Sequence, residues 1–395
     1  MQTKKILSVK PLGKRKTLDF EVDHKDHNFY AEGLVSSNSH AVAYSTLTAW
    51  TTYLKFKYTK EFFMALLRMS VNEPDPREEI SKISRELPHF NIKLLPPDLT
   101  KSQMDFSIEG DNIRFGLNAI KGVSEKSLQA VLDFRDSERS TKYDIFLTAK
   151  QAGINIGVLS ALIQAGALDS GKRSRSRLVL EAQTFNILTD REKRNFIALG
   201  EEYEYDILKS LQDVVTKQTK GDDNKVIVSE KRFNTIKKKY DNYKAIYDQN
   251  AKQEKLANWY FENKLLGYSY SSNLSDSFLD DQGNRYNNSV YCNSLDSGST
   301  AKFIGQIEED CKKAKSQNGN HYIRFNAVDG YGSMTGLMVD NRRNATCTNY
   351  IESGGKIPKK GNIVTFWGAK GDDLIFVNEL KILDDKIFMK LSDVN

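Results

Sequence analysis

The chain has little cysteine: Cys292, Cys311 and Cys347 in 395 residues. None belongs to a C-x-x-C pair, so a zinc ribbon finds no support. The odd count fits a reducing compartment better than a disulfide framework. No stretch approaches the roughly 18 consecutive apolar residues of a membrane-spanning helix. The opening run, MQTKKILSVKPLGKRK, is charged and lacks an apolar h-region, so no signal peptide is expected. These absences predict a soluble, cytoplasmic protein. Nor is there a strong charge imbalance. The formal net charge of +6 and pI of about 8.8 are compatible with a polyanionic partner but do not establish one. The length allows two to four domains at roughly 100–200 residues each.

What is present begins with residues 1–38, a strand-rich segment. Leu18-Asp19-Phe20-Glu21-Val22 alternates apolar with polar, and Gly13 and Gly33 punctuate turns. So small a piece cannot bury enough surface to fold well alone, which predicts that it completes a larger β-rich fold. It ends at Asn38-Ser39, where the residue pattern changes. An Asn side-chain amide can attack its own backbone carbonyl and cleave the next bond. A following hydroxyl can accept an acyl group.

The Gly13 turn, the strand TLDFEV, the run Asp26-His27-Asn28-Phe29 and the ending Gly33-Leu34-Val35-Ser36-Ser37-Asn38 together resemble the C-terminal half of a split intein. Inteins of this kind interrupt bacterial replicative DNA polymerase genes. The resemblance implies protein trans-splicing with a separate N-terminal half. Ser39 would be the acceptor nucleophile. Asn38 would cyclise and release the intein. His27 would transfer protons, since histidine titrates near neutral pH, and Asp26 would tune the nucleophile or orient His27. Ser37 stands where many inteins have His, which shifts the activation of Asn38 onto His27 and the backbone.

Residues 39–110 read as amphipathic helices. Leu47, Trp50, Tyr53, Leu54 and Phe56 follow helical spacing, and KEFFMALLRM is expected to present Phe62, Ala65, Leu66 and Met69. Arg77 to Leu87 reads as a further helix. The phrases SHAVAY, TTYLK, EFFMALL and IKLLPPDLTKSQMDFSIEGDNIRFGLNAIKGV occur in the order found in the bacterial DNA polymerase III alpha subunit, and the run resembles that C-family polymerase. The resemblance places the first phrase in the fingers near the incoming nucleotide, with His40, Tyr44 and Lys55 as nucleotide-binding candidates.

Residues 111–172 look like a tandem helix-hairpin-helix. Ile120-Lys121-Gly122-Val123-Ser124-Glu125-Lys126 offers a tight glycine turn whose backbone N–H groups can approach a DNA phosphate. Ser124 replaces the usual second glycine. Lys121, Gly122, Ser124 and Lys126 are the candidates for DNA contact, and Gly153-Ile154-Asn155-Ile156-Gly157 marks the second hairpin. Residues 173–298 read as a helical connector. It opens on a basic cluster in which Arg173 and Arg175 are further DNA-binding candidates. Lys217 to Lys231 is expected to be a flexible loop. Phe233, Ile236, Tyr240, Tyr243 and Tyr247 mark the packing face of a long helix. Polymerases of this family carry a sliding-clamp peptide in this half of the chain, and Gln183-Thr184-Phe185 is a poor candidate for it.

Residues 299–395 are expected to form an OB-fold. The predicted strands are Lys302–Glu308, His321–Val328, Ser333–Val339, Asn362–Ala369 and Leu374–Ile382, with a short helix within 342–354. Tyr322, Arg324, Phe325 and Trp367, with Phe366 and Lys315, are candidates for single-stranded template. The predicted fold class is multidomain α+β: a β-rich intein fragment, α-helical fingers segment, tandem hairpins, helical connector and OB barrel. No run resembles the paired palm aspartates that hold magnesium. No cofactor is therefore expected in this chain, and magnesium would arrive with the N-terminal half. The function implied is the C-terminal half of a split replicative polymerase, with the N-terminal half and DNA as partners. The alternative is a DNA-binding accessory protein with a degenerate intein that never splices.

Overall fold

The structure, a computed structural model, describes residues 28–31, 34–37, 39–123, 125–137, 141–168, 174–199, 206–280, 282–341 and 344–383. The chain divides into two compact units, Met1–Phe62 and Phe63–Asn395.

In the first unit, β1 (Asn28–Ala31) and β2 (Leu34–Ser37) pair as an antiparallel hairpin with Asn28 opposite Ser37. Helix α1 (Ser39–Lys57) follows. The predicted strand Leu18–Val22 lies outside the described residues. Helix α2 (Thr59–Ser70) runs across the division in sequence.

The second unit opens with the far half of α2. Its buried residues are Phe63, Leu67 and Ser70, and Met69 is exposed. The expected face is therefore corrected by one residue. Phe63 is drawn inward by Phe90, whose ring centroid is 5.1 Å away. Helix α3 (Pro76–Glu86) begins at Asp75, whose side chain accepts from the Glu78 amide. It has proline in its first turn, where no amide is needed, and runs into a 3-10 turn, Leu87–Phe90. A small sheet of β3 (Leu94–Leu95), β4 (Ser107–Glu109) and β5 (Asn112–Arg114), in the order β3-β5-β4, leads to a second 3-10 turn, Leu117–Ala119.

Helices then dominate. They are α4 (Glu125–Arg135), α5 (Lys142–Gln151), α6 (Ile156–Gln164), α7 (Arg175–Ile187), α8 (Asp190–Ala198), α9 (Ile207–Thr216), α10 (Glu230–Lys252) and α11 (Glu254–Leu266). Two start in capping boxes, Thr141 with Asp144 and Thr189 with Glu192, which satisfy orphan amides reciprocally. Helix α10 buries Ile236 and Tyr240, and Tyr243 and Tyr247 are half-buried, as its spacing predicts. The expected flexible loop before it is instead a tight turn. Arg191 clamps Asp223 through two nitrogens at 2.9 and 2.8 Å and also donates to the carbonyl of Ile227. Ile227 and Val228 are buried.

Two short helices, α12 (Leu274–Ser277) and α13 (Ser289–Ser294), precede the barrel. Its strands are β6 (Thr300–Ile307), β7 (Lys313–Lys315), β8 (His321–Val328), β9 (Ser333–Val339), β10 (Ile363–Lys370) and β11 (Leu374–Ile382), with helix α14 (Thr346–Glu352) between β9 and β10. The order is β6-β10-β11-β9-β8-β7, and a β6–β8 pairing closes it. β9 and β11 run parallel; the other pairs are antiparallel. This five-stranded closed sheet, edged by β7, is consistent with an OB-fold. Phe303, Phe325 and Phe366 fill it, with centroids 5.4 Å (303–366) and 5.0 Å (325–366) apart.

A second apolar cluster joins helix to barrel. Leu256 and Trp259 of α11 and Leu274 of α12 pack with Ile304 of β6 and Ile363 of β10. Two ion pairs add to it: Arg85–Glu308 at 3.0 Å and Lys360–Glu78 at 2.6 Å. α3 thus meets the barrel directly.

Candidate nucleic-acid interface

The hairpin turn around Gly122 is the first element. The Gly122 φ of +96° is a backbone state that side-chain-bearing residues rarely adopt, so glycine is required here. Lys121 is exposed on this turn, and its backbone N–H is already used, donating to Leu265 at 2.9 Å. That anchors the turn to the end of α11. Lys126 is exposed on the first turn of α4. Ser124 lies outside the described residues. The element before this turn is the single 3-10 turn Leu117–Ala119, shorter than a hairpin helix. The second hairpin has two α-helices, α5 and α6, and Asn155 caps α6 by accepting from Val158 at 2.9 Å.

Arg175 is placed elsewhere than expected. Its guanidinium donates to Glu262 at 2.6 Å, to the Tyr270 hydroxyl at 2.9 Å and to the Gln164 carbonyl at 3.3 Å. Glu262 is fully buried and also accepts from Ser269 Oγ and the amides of Tyr270 and Ser271. Burial pushes the Tyr270 phenol up to about 12, so it stays protonated and donates to Ala165 at 3.0 Å. Gly166 leaves room for this knot, since a Cβ there would collide with the Tyr270 hydroxyl. Arg175 therefore locks α7 to α11 rather than presenting charge to solvent. Arg173 lies outside the described residues.

On the barrel, β8 alternates. Ile323, Phe325 and Ala327 face the core; Arg324 and Asn326 are exposed and Tyr322 is half-buried. Phe325 and Phe366 are core residues, which corrects their candidacy for base stacking. The reason is the two-residue side-chain period: Arg324 and Phe325 cannot share a face. Trp367 points out and is 38% exposed, but it lies on β10 beside Lys302 of β6. Its indole N–H donates to Glu379 at 2.7 Å. It lines a pocket of about 350 Å³ with Lys302, Thr365, Glu379 and Lys381, away from Tyr322 and Arg324. Lys315 is exposed on the edge strand β7. The structure therefore brings together Tyr322 and Arg324, and sets Trp367 apart.

Sequence reasoning missed Phe376, which is 46% exposed. The registers place Phe376 beside Leu337 of β9, and Leu337 beside Arg324 of β8. The signal was available in the alternation Ile375 in, Phe376 out, Val377 in. A ring and a guanidinium on one sheet face suit a stacked base and its phosphate. Between the Gly122 turn and the barrel lies a cleft of about 1130 Å³. Lys93, Lys121 and Lys264 line it, with Tyr260 and Tyr331. The barrel turn that carries Tyr331 is ordered by Asp329, which is buried and accepts from Ser289, Tyr331 and Gly332.

The poor clamp candidate, Gln183-Thr184-Phe185, falls within α7. Thr184 and Phe185 are buried there. Tyr44 is exposed and Lys55 half-buried on α1; eleven residues, roughly 16 Å along the axis, return them to one side. His40 lies in α1 one turn before Tyr44. Ser37 ends β2 and Ser39 begins α1, whereas Asp26, His27 and Asn38 lie outside the described residues. Burial pushes the thiols of Cys292 and Cys311 up to about 12 and 11. Among the described residues, no group of three or more His, Cys, Asp or Glu is arranged to hold a metal, and no helix is long and apolar enough to cross a membrane.

A family model described as a helix-hairpin-helix motif matches residues 91–178. The chain is similar to the DNA polymerase III subunit alpha of Aquifex aeolicus, 29% identical over 301 residues, which are 75% of this chain and 21% of that protein. It is likewise similar to the DNA polymerase III subunit alpha of Thermus aquaticus, 37% identical over 148 residues, 37% of this chain and 12% of that protein. The mitochondrial single-stranded DNA-binding protein Rim1 of S. cerevisiae matches with a TM-score of 0.18 and 14% identity, over 22% of this chain and 97% of that one. The chain thus spans about a fifth or less of the length of these two polymerase relatives. The polymerase part of the resemblance read from the sequence is borne out across three quarters of the chain.

Proposed function

We propose that this chain is one half of a split replicative DNA polymerase, that it is joined to the other half by trans-splicing, and that it then grips DNA for the joined enzyme. The observation that carries the polymerase reading is the similarity to alpha subunits over 301 residues, on a unit that holds both a helix-hairpin-helix and an OB-like barrel. The first hairpin turn offers the side chains of Lys121 and Lys126 to duplex phosphates. The barrel face with Tyr322, Arg324 and Phe376 takes single-stranded template. His40, Tyr44 and Lys55 serve the incoming nucleotide. Magnesium would neutralise the triphosphate, and its ligands belong to the complementary half.

The splicing reading rests on the residues around Asn38-Ser39. It is supported by a hairpin register that sets Asn28 opposite Ser37, the sequence neighbours of His27 and Asn38. Ser39 Oγ attacks the thioester or ester at the start of the complementary intein half. The incoming acyl group moves to Oγ and the thiol or hydroxyl leaves. The Asn38 amide nitrogen then attacks its own backbone carbonyl, closing a succinimide and freeing the Ser39 amine. That amine takes the acyl group from Oγ, leaving an ordinary peptide bond. His27 supplies the protons.

The test is mass. Mixed with its complementary fragment, the chain loses residues 1–38 and gains the partner's polymerase portion. Asn38→Ala halts release and leaves the branched intermediate. An intact, unligated chain after mixing refutes the splicing reading and favours the accessory-protein alternative. Nucleotide incorporation by the purified chain alone refutes the assignment of the palm to its partner.

A further inference from the structure

Helix α1 carries a surface that its own unit leaves in solvent. Leu47, Leu54, Trp50, Tyr53 and Phe56 follow one another around roughly half of the helix circumference, with Thr48, Thr51, Thr52 and Lys55 on the remainder; Trp50 is 65% and Phe56 69% exposed. With Tyr58 just beyond the helix, these six side chains expose on the order of 700 Å², counting roughly 150–250 Å² for a fully exposed side chain of this size. Lys57 lies over the rings of Tyr53 and Tyr58 within this surface, and an exposed apolar area of this order is still at or above the largest patch of an ordinary soluble monomer. The distribution matters more than the area. An ordinary surface helix has an apolar stripe about 100° wide, and the arc on α1 is close to twice that.

We propose that α1 is a docking element for the complementary polymerase fragment, which encloses it before and independently of any covalent joining. This rests on the reading given above. Three observations select that occupant. The chain spans 21% of a relative that it matches over 75% of its own length, so most of the family's polypeptide lies outside it. Helix α1 begins at Ser39, the first residue that the splicing reading keeps. An apolar arc over about half of its circumference calls for a groove that wraps the helix, more than a flat contact with a second copy covers. Hydrophobic enclosure would hold the two halves together while the slower bond rearrangements proceed.

The experiment uses the full chain and the complementary fragment with its intein portion removed, so that no ligation can occur. Size-exclusion chromatography and titration calorimetry are expected to show a stable one-to-one complex. The Trp50→Glu/Phe56→Glu variant, checked for unchanged circular dichroism, is expected to bind at least tenfold more weakly. Absence of a complex, or equal binding by the variant, overturns the proposal. So does concentration-dependent self-association that the same variant abolishes, because a second copy would then be the occupant. A parallel mixture with the intein-bearing fragment separates the two readings. Ligation without binding of the intein-less fragment sinks the docking element and leaves the splicing reading standing. Binding without ligation supports the docking element and counts against splicing.

Discussion

Replacing Arg175 by Ala should destabilise the second unit by about 3 kcal/mol. The guanidinium is the cation for Glu262, a carboxylate with no exposure, and removing one member of a buried ion pair costs roughly 3–5 kcal/mol. The lower end applies because Glu262 keeps three other donors, Ser269 Oγ and the amides of Tyr270 and Ser271. Arg175→Lys should recover only part of the loss. An ammonium cannot reach Glu262 and Tyr270 together, and the stacking of the guanidinium 5.5 Å from the Tyr270 ring centre is lost. The pair Arg175→Met/Glu262→Gln removes both charges while an amide oxygen remains to accept from Ser269, Tyr270 and Ser271, and should recover part of it. The assay is equilibrium urea unfolding, followed by the fluorescence of buried Trp259 and by circular dichroism. A midpoint shift on the order of 1 M is expected at slopes of roughly 2–3 kcal/mol/M. Lys126→Ala, at an exposed position, is the control and should stay within about 0.5 kcal/mol. The reasoning fails if Arg175→Ala leaves stability within about 0.5 kcal/mol of the parent while duplex affinity drops and its salt dependence becomes shallower. Arg175 would then be a phosphate contact.

Further predictions concern the barrel, the turn and one acid. Phe376→Ala should weaken binding to single-stranded oligonucleotide by about 1–3 kcal/mol in a fluorescence anisotropy titration. Phe325→Ala should instead lower stability by about 3–5 kcal/mol, being a core ring. Gly122→Ala should cost about 1–2 kcal/mol in urea unfolding, because the positive φ becomes strained. The pH dependence turns on Glu192. Burial raises its pKa, but the bonds from Arg232 and Thr189 outweigh this and hold it below the ordinary carboxylate value of 4.5. A depressed folded pKa means that the stabilisation is present above pH 4.5 and is lost as pH falls through the lower folded value. Thermal midpoints measured from pH 7 to pH 3 should therefore fall, and Glu192→Gln should flatten that fall.

The barrel was legible in the sequence because its strands alternate. HYIRFNAV has Ile323, Phe325 and Ala327 on the inner face and Arg324 and Asn326 on the outer one, so period two alone marks the strand. Its closure was not legible. The parallel β9–β11 pairing and the β6–β8 contact are decided by the core as a whole, and no local signal states them. The same limit explains the error on α2. Phe62-Phe63 and Leu66-Leu67 offer two adjacent apolar stripes, and distant Phe90 selects one. Arg175 sat in a basic run whose charge suggested phosphate, while its true partner was 87 residues away. The segment before α10 looked too polar to fold, yet Arg191, 32 residues earlier, orders it through Asp223. In the site, Lys121 and Gly122 could be read from a turn, whereas Phe376 and Arg324 become neighbours only through sheet register.

The direct contact between α3 and the barrel bears on how the chain is made. Arg85 meets Glu308 across 223 residues, and Glu78 meets Lys360 across 282. At roughly 5–20 residues per second, a ribosome that has delivered α3 needs from about ten seconds to about a minute to deliver its partners. Throughout that interval the helix carries charges chosen for a body not yet synthesised. Nascent chains stalled before the barrel would thus expose an unfinished seam, and a chaperone that shields the helical part during translation would have its greatest effect there.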